Sequence, residues 1–287
     1  MEEITADYSV EELSLPTELK VIPRATVACK SDLGRVRENN EDKFEFFVSE
    51  QEAMQARRGA VYVVCDGMGG AEAGQIASEL TAKTFIDVYL HHPSHDAEVA
   101  MEAAVFAANR FVMDVGRAVP SRKGMGTTLS SVILLQDKAY IVQVGDSRVY
   151  RLRDGVLLRM TKDHTWIEEA IEAGIVQPSE IDTHPYRHVI TRAISTEGEV
   201  KPDIFKHDLQ VGDIFMICSD GLTNHVQDET ICEVLNENMP PEAVWKLVGL
   251  ALQGGGTDNT TVIVLRVDEL ITPAYQANEF EDSYRVK

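Results

Sequence analysis

The sequence predicts an α+β fold built on antiparallel sheets. Two segments with helical patterning, at about 73–91 and 96–115, follow one another directly between groups of strand-like segments. A strand meander from Thr127 to Leu158 comes next, and Asp154-Gly155 within it is a strong signal for a two-residue hairpin turn. Strict alternation of strands and helices would predict a parallel, doubly wound sheet, so this order favours the antiparallel architecture.

The other elements are predicted from apolar runs and from the residues that interrupt them. Runs rich in Val, Ile, Phe and Tyr are typical of strands, and the pair Pro240-Pro241 is typical of a helix start. Residues 163–195 are more polar and are interpreted as an inserted lid. The predicted elements besides the two long helices are strands at 25–29, 43–48, 61–65, 129–135, 140–144, 149–152, 156–158, 214–218 and 261–267, and helices at 166–173, 228–236 and 241–252.

One large domain is expected at 25–268. Residues 1–24 are acidic and without clear periodicity, which indicates an N-terminal extension. The residues at 269–287 are interpreted as a polar tail, and the part of the lid at about 165–190 as a flap.

Composition excludes several classes of function. With 287 residues, 44% of them hydrophobic, the chain can bury a full core. A net charge of -20 argues against nucleic acid or an anionic membrane as partner, because both require basic patches. The four cysteines show no closely spaced pairs, and no apolar stretch approaches ~20 residues. A cytoplasmic protein with reduced cysteines is therefore expected.

Four aspartates lie where strand-like runs end or begin. Asp66, Asp146 and Asp220 each follow an apolar run and sit beside glycine, and Asp258 precedes the last run. Such positions hold a carboxylate rigidly. Two like charges ~4 Å apart repel by roughly 4 kcal/mol at an effective dielectric constant near 20. Divalent cations would remove this conflict, so the pattern predicts a metal site.

The loop at 34–42 adds further groups of the same kind. It contains Glu41 and Asp42 together with Arg37. An all-oxygen ligand set suits Mg²⁺ or Mn²⁺ rather than zinc or copper. Two such ions ~4 Å apart can share a water and direct it at phosphorus, and an arginine beside them can bind phosphate oxygens. The residues alone therefore predict a metal-dependent hydrolase.

Seven short motifs occur in a fixed order between residues 26 and 267. Each is weakly specific alone, but together they are very specific. The motifs are Gly34–Asp42, Asp66–Gly70 with Gly74 and Ala77-Ser78, Gly126–Thr128, Gly145–Arg148, Thr161–His164, Cys218–Leu222 and Gly256–Thr261. With them the sequence resembles the PPM (PP2C-type) family of metal-dependent serine/threonine protein phosphatases, in its bacterial branch.

The resemblance implies a four-layer α/β/β/α sandwich, in which two antiparallel sheets lie between helix pairs and the metals bind in a cleft at one end. It implies hydrolysis of phosphoserine and phosphothreonine by a water that bridges two Mg²⁺ or Mn²⁺ ions, without a covalent intermediate. The implied partners are phosphorylated proteins, such as the targets of a bacterial serine/threonine kinase and the kinase itself. A monomer is expected.

The resemblance also implies roles for individual residues. Asp66 would bridge the two ions, and the carbonyl of Gly67 would bind one of them. Asp220 and Asp258 would bind the other ion. Asp42 matches the acidic ligand of the first motif.

Three more residues have implied roles, and two of them also have a structural alternative. Arg37 matches the phosphate-binding arginine, although it could instead pair with Glu38 or Glu41 at the surface. Glu41 would bind metal through water. Asp146, together with Asp220, matches a third and weaker metal site, although it could instead cap its own turn.

Ala71 departs from the family pattern. Many members have a histidine at this position, directly after the Asp-Gly-Met-Gly-Gly turn, and it is proposed to protonate the leaving group. A metal-bound water or a flap histidine could substitute here. Ala71 is also the feature that favours a second interpretation, a catalytically weak pseudophosphatase that acts as a phosphoprotein-binding regulatory module.

A cysteine-dependent mechanism is the other alternative. Cys29 and Arg35 have the Cys-x5-Arg spacing of cysteine-dependent phosphatases. Asp32 lies within that would-be phosphate loop, where its charge would repel the substrate. We therefore interpret this spacing as a chance match.

Overall fold

The computed structural model describes residues 21–70, 72–195 and 198–272. The strands are β1 (Ile22–Asp32), β2 (Lys43–Phe47), β3 (Ala60–Cys65), β4 (Gly67–Met68), β5 (Gly126–Thr127), β6 (Leu129–Leu135), β7 (Lys138–Val144), β8 (Arg148–Arg153), β9 (Val156–Arg159), β10 (Ile194–Ser195), β11 (Asp203–Asp208), β12 (Ile214–Cys218) and β13 (Thr260–Ile271). The helices are α1 (Glu52–Arg58), α2 (Glu72–His91), α3 (Ala97–Ala118), α4 (Trp166–Glu172), α5 (Asp220–Thr223), α6 (Asp228–Glu237) and α7 (Pro240–Gln253).

Two five-stranded antiparallel sheets form the body of the molecule. The first sheet has the order β1-β13-β12-β8-β9, and the second has the order β11-β7-β6-β3-β2. A small third sheet, β10-β5-β4, lies beside them. Strands β7 and β8 are consecutive in the chain but belong to different sheets, so the turn between them crosses from one sheet to the other.

The layers are held together by three buried apolar clusters. One cluster joins α2 and α3 to the second sheet and includes Phe85 and Ile133. Another joins α6 and α7 to the first sheet and includes Leu247 and Met216. The third lies between the two sheets, around residues such as Phe215. The predicted four-layer α/β/β/α sandwich is confirmed.

The strands that close the first sheet are longer than the sequence pattern indicates. Pairing between β1 and β13 continues outward to Ile22 opposite Ile271, past a register shift between Arg24 and Ala25. Residues 22–24 and 269–271 thus belong to a two-stranded ribbon, because backbone pairing continues after the apolar alternation ends. Residues 1–20 and 273–287, most of the expected extension and tail, lie outside the described residues.

The predicted hairpin at Asp154-Gly155 is present between β8 and β9. Both residues have positive φ, 53° and 76°. A two-residue turn with positive φ at both positions matches the right-handed twist of the strands that it joins.

The cysteines do not support the cysteine-dependent alternative. All four are free thiols. Cys29 lies within β1, and burial raises the pKa of its thiol, whereas a nucleophilic cysteine requires a lowered pKa. Within the described ranges, no helix is long and apolar enough to cross a membrane.

Candidate metal centre

Four aspartates from separate parts of the chain line one pocket. Asp66 follows β3, Asp146 lies in the turn between β7 and β8, Asp220 begins α5 directly after β12 and Asp258 precedes β13. The pocket has a volume of about 210 Å³. Its other lining residues are Arg37, Glu41, Gly67, Met68, Gly69, Gly70, His188, Ile190 and Asn259. Both sheets therefore contribute carboxylates to a single site.

Asp42 lies beneath the pocket rather than in its lining. Its side chain is buried, and its Oδ2 accepts a hydrogen bond of 2.7 Å from the hydroxyl of Ser219. Its Oδ1 is buried without a hydrogen-bond partner among the described residues. Burial raises the pKa of Asp42 from 3.8 to about 7, although the hydroxyls of Ser219 and Thr261 oppose that shift. A buried carboxylate oxygen without a donor is what a cation would satisfy.

The carboxylates of the pocket repel one another. Burial raises the pKa of Asp66 well above its ordinary value, and the charges of Asp42 and Asp220 raise it further. Burial also raises the pKa of Asp146 to about 7, with Asp220 as the next cause. For Asp220 itself, burial and then the charge of Asp258 raise the pKa. Without a cation, this arrangement favours protonated carboxyl groups.

The donor set fits magnesium or manganese bound partly through water. No group of three His, Cys, Asp or Glu side chains able to hold an ion by itself is found in residues 21–70, 72–195 and 198–272. Mg²⁺ usually keeps several waters and takes only one or two protein carboxylates. Separate aspartates around a pocket of about 210 Å³, with the Gly67 backbone beside them, leave room for such water ligands.

The turn after Asp66 is packed tightly against the start of α2. A Cβ at Gly67 would lie 2.3 Å from the carbonyl oxygen of Gly74 and 2.5 Å from that of Glu41. The hydroxyl of Ser78 donates a bond of 2.6 Å to the same Glu41 carbonyl. Only small residues allow this approach, so Gly67 and Gly74 position the backbone that lies between Glu41 and Asp66.

The loop that carries Arg37 is fixed to the loop that carries Asp258. The backbone N–H of Arg35 donates to the carbonyl of Gly256 at 2.7 Å. Arg37 Nη2 contacts Asp258 Oδ2 at 2.7 Å while about half of the Arg37 side chain stays exposed. Gly34 has φ of +82°, and a Cβ there would lie 2.4 Å from the carbonyl oxygen of Asp258. The guanidinium is therefore held at the rim of the pocket, beside the carboxylates.

Asn259 connects the same two loops, a role that the sequence did not reveal. Its Oδ1 accepts the backbone N–H of Glu41 at 2.8 Å. Its Nδ2 donates to the carbonyls of Leu33 and Asn39, at 2.9 and 3.0 Å. All polar atoms of this amide thus hold the loop at 33–41 in place, and they explain why an asparagine follows Asp258.

Two hydrogen-bonded pairs position Asp66 and Asp146. The backbone N–H of Asp66 donates to Thr128 Oγ1 at 2.9 Å, which ties β3 to the Gly126–Thr128 motif. The N–H of Gly145, next to Asp146, donates to His164 Nδ1 at 3.0 Å. His164 is buried and its Nε2 lies 3.0 Å from Asp203 Oδ2. His164 therefore fixes the turn that contains Asp146 through its hydrogen bond with Gly145, and it does not line the pocket.

The flap begins and ends at one short bridge. Thr165 pairs with Ile190, and the N–H of Trp166 donates to the carbonyl of Val189 at 2.8 Å. Within the flap, His184 stacks on Trp166 with ring centroids 5.0 Å apart. Among the flap residues, His188 and Ile190 line the pocket, and His188 is exposed. No local sequence pattern distinguishes this histidine from His184.

A pocket of aspartates at one end of a two-sheet sandwich is the arrangement of a metal-dependent hydrolase. A model of the family "Protein phosphatase 2C" matches residues 35–243, more than half of the chain. The chain belongs to the protein phosphatase 2C family.

Its relatives include named bacterial enzymes. The chain is 38% identical over 241 residues to the serine/threonine protein phosphatase PstP of Mycobacterium tuberculosis; the match covers 84% of this chain but 44% of PstP. It therefore spans about half the length of that relative. It is 31% identical over 244 residues to the serine/threonine phosphatase stp of Listeria monocytogenes, covering 83% of this chain and 94% of that protein.

A solved structure of the PstP catalytic domain in complex with two manganese ions has the same fold. It is 36% identical to this chain, with a TM-score of 0.73, and the match covers 85% of this chain and 99% of that one.

Proposed function

We propose that this chain is a metal-dependent protein phosphatase that hydrolyses phosphoserine and phosphothreonine. The observation that carries the proposal is the meeting of Asp66, Asp146, Asp220 and Asp258 with Arg37 in one pocket. The names of the relatives, and the manganese ions in the PstP complex, support the same reaction.

The ligands in this proposal come from both sheets. Asp66 and the Gly67 carbonyl would hold one ion, and Asp66 would share the other with Asp220 and Asp258. Glu41 would act through water, and Asp146 with Asp220 would form a weaker third site. Asp42, whose buried Oδ1 has no partner among the described residues, would complete the set from below. When bound, the ions lower the pKa of a water and offset the charge of the phosphate.

Arg37 would bind the phosphate group. Its guanidinium is half exposed at the rim, and its fork matches phosphate oxygens. The partner that it has in this structure is Asp258 Oδ2, so phosphate and cations together would separate this pair. The aspartates around the pocket repel a free phosphate dianion, which makes substrate binding depend on the cations.

The wider biological assignment also belongs to the proposal. Phosphorylated proteins are the proposed partners, among them a bacterial serine/threonine kinase and its targets. The proposed working form is a monomer, with the activity residing in the folded unit bounded by β1 and β13. A cytoplasmic location is supported by the four free thiols, which suit a reducing compartment.

The test is hydrolysis of a phosphothreonine peptide with Mn²⁺ and with EDTA, together with calorimetric Mn²⁺ binding. We expect activity only with Mn²⁺, and Asp66→Asn should lose both the activity and the tight Mn²⁺ binding. Asp114→Asn is the control, because Asp114 is exposed on α3, away from the pocket.

Two outcomes contradict the proposal in different ways. Full activity in Asp66→Asn would overturn the metal centre and the mechanism. Tight Mn²⁺ binding without turnover in the unaltered protein would instead favour the pseudophosphatase.

A further inference from the structure

The proposed reaction needs a proton at the leaving oxygen, and few groups in the pocket can supply it. The lining contains five carboxylates, which bind cations when they are ionised. The Asn259 amide is fully used by the loop at 33–41. Arg37 is a donor for phosphate, but its guanidinium does not give up a proton near neutral pH. His188 is the remaining side-chain donor among the described lining residues.

The backbone around His188 is fixed by hydrogen bonds. The turn that contains it is closed by Val189 N–H to the carbonyl of Tyr186 at 3.1 Å, and Val189 in turn accepts from Trp166 N–H. No side-chain hydrogen bond to the His188 ring is found within the described ranges. The imidazole is thus exposed at the pocket with its nitrogens available to a substrate.

His188 belongs to the flap and lines the pocket together with the groups that would hold the cations, which come from other parts of the chain. A charge on the His188 ring would lower the pKa of Asp220, which burial and then the charge of Asp258 raise. Because His188 lines the same pocket as Arg37 and the aspartates, a phosphoester bound there would lie in the space that the imidazole borders. The residue after the Asp66–Gly70 turn, Ala71, offers no donor because its side chain is a methyl group.

We propose that His188 is a catalytic residue that protonates the leaving oxygen of phosphoserine and phosphothreonine. This inference rests on the proposed phosphatase function. Water forms the new P–O bond while the P–O bond to the side chain breaks, and the electron pair of that bond goes to the serine or threonine oxygen. A nitrogen of the protonated ring gives its proton to this oxygen, the protons of the attacking water leave with the phosphate or pass to solvent, and the ring regains a proton from solvent. The products are the alcohol and inorganic phosphate.

The experiment compares two leaving groups. An alkoxide must be protonated as it departs, whereas p-nitrophenolate is stable near neutral pH without a proton. We expect His188→Ala to lower kcat on a phosphothreonine peptide by roughly 10²-fold, the lower part of the range for general acid catalysis. On p-nitrophenyl phosphate the loss should be less than about 3-fold, because that reaction does not draw on the acid. His188→Gln should behave like His188→Ala, since an amide donates hydrogen bonds but does not transfer its proton.

His184→Ala is the matched control. It removes a histidine from the same flap, at a position that does not line the pocket, so any loss should be the same factor on both substrates. Calorimetric Mn²⁺ affinity should be unchanged in His188→Ala, which excludes a role in metal binding.

Three results would overturn the inference: equal losses on both substrates in His188→Ala, full recovery in His188→Gln, or weakened Mn²⁺ binding. Failure of the proposed function is visible separately, as inactivity of the unaltered protein on both substrates.

Discussion

Replacing Asp42 with asparagine should stabilise the metal-free protein. The pKa of this buried carboxyl is raised from 3.8 to about 7, and one pKa unit corresponds to about 1.4 kcal/mol. At pH 8 the ionised group therefore costs the metal-free fold about 4 kcal/mol. The Ser219 hydroxyl keeps an acceptor in the variant, whereas an unpartnered amide N–H costs about 1–2 kcal/mol. A net gain of about 2 kcal/mol at pH 8 follows for Asp42→Asn.

The pH dependence of the stability gain shows whether the charge of Asp42 causes it. A carboxyl group with a raised pKa binds more protons in the folded state than in the unfolded state, so its presence lowers stability as pH rises from about 4 to about 7. At pH 5 the cost of Asp42 is only about 2 kcal/mol, and the variant should then match the unaltered protein. The stability difference between the variant and the unaltered protein should therefore change by roughly 2 kcal/mol between pH 5 and pH 8, and this change does not depend on the cost of the amide.

The measurement is urea unfolding in EDTA at pH 8 and pH 5, followed by far-ultraviolet circular dichroism. Asp114→Asn serves as the control, since an exposed aspartate should change stability by less than about 0.5 kcal/mol. With Mn²⁺ at pH 8 the unaltered protein should be more stable than Asp42→Asn, because only the unaltered protein gains stability from tight Mn²⁺ binding. The same stability difference at both pH values in EDTA would refute the electrostatic explanation.

Three other changes have distinct expected results. Gly34→Ala should lower Mn²⁺ affinity and activity together, because the added Cβ would meet the Asp258 carbonyl at 2.4 Å; calorimetry that shows unchanged affinity would contradict this. Arg153→Met should destabilise the fold by about 3 kcal/mol in urea unfolding, since it leaves the buried carboxylate of Asp213 without its cation, and a change under about 1 kcal/mol would be inconsistent with that role. Ala71→His, at a position outside the described residues, should raise turnover of phosphoserine peptides more than that of p-nitrophenyl phosphate, and equal gains would refute an added general acid.

The positions of the aspartates could be predicted because strand ends are visible in a sequence. Strand β12 was predicted at 214–218 and ends at Cys218, and Asp220 follows at the start of α5. Apolar runs fix where a buried strand stops, and the glycines beside Asp66 and Asp146 mark the turns. That these ends share one edge of the sandwich came from the family resemblance, since no local pattern specifies which strands are neighbours.

Elements without an apolar period were missed. Strand β11 (Asp203–Asp208) is a polar edge strand that is fixed by pairing with β7, and α1 (Glu52–Arg58) is a short helix with little apolar patterning. Tertiary contacts, rather than local preference, form both elements. The same applies to His188, because the path of a flap across a pocket depends on distant backbone bonds such as Trp166 to Val189.

The carboxylates of the pocket come from the strand ends of two separate sheets, so ions bound there would link the two sheets at one end of the sandwich. Side chains such as Phe215 and Tyr62 fill the layer between the two sheets. Replacing one of them with a smaller residue would let the two sheets move closer together. The carboxylates would then shift, and the affinity for the cations would fall. In this architecture the packing between the two sheets and the affinity for the ions are therefore coupled.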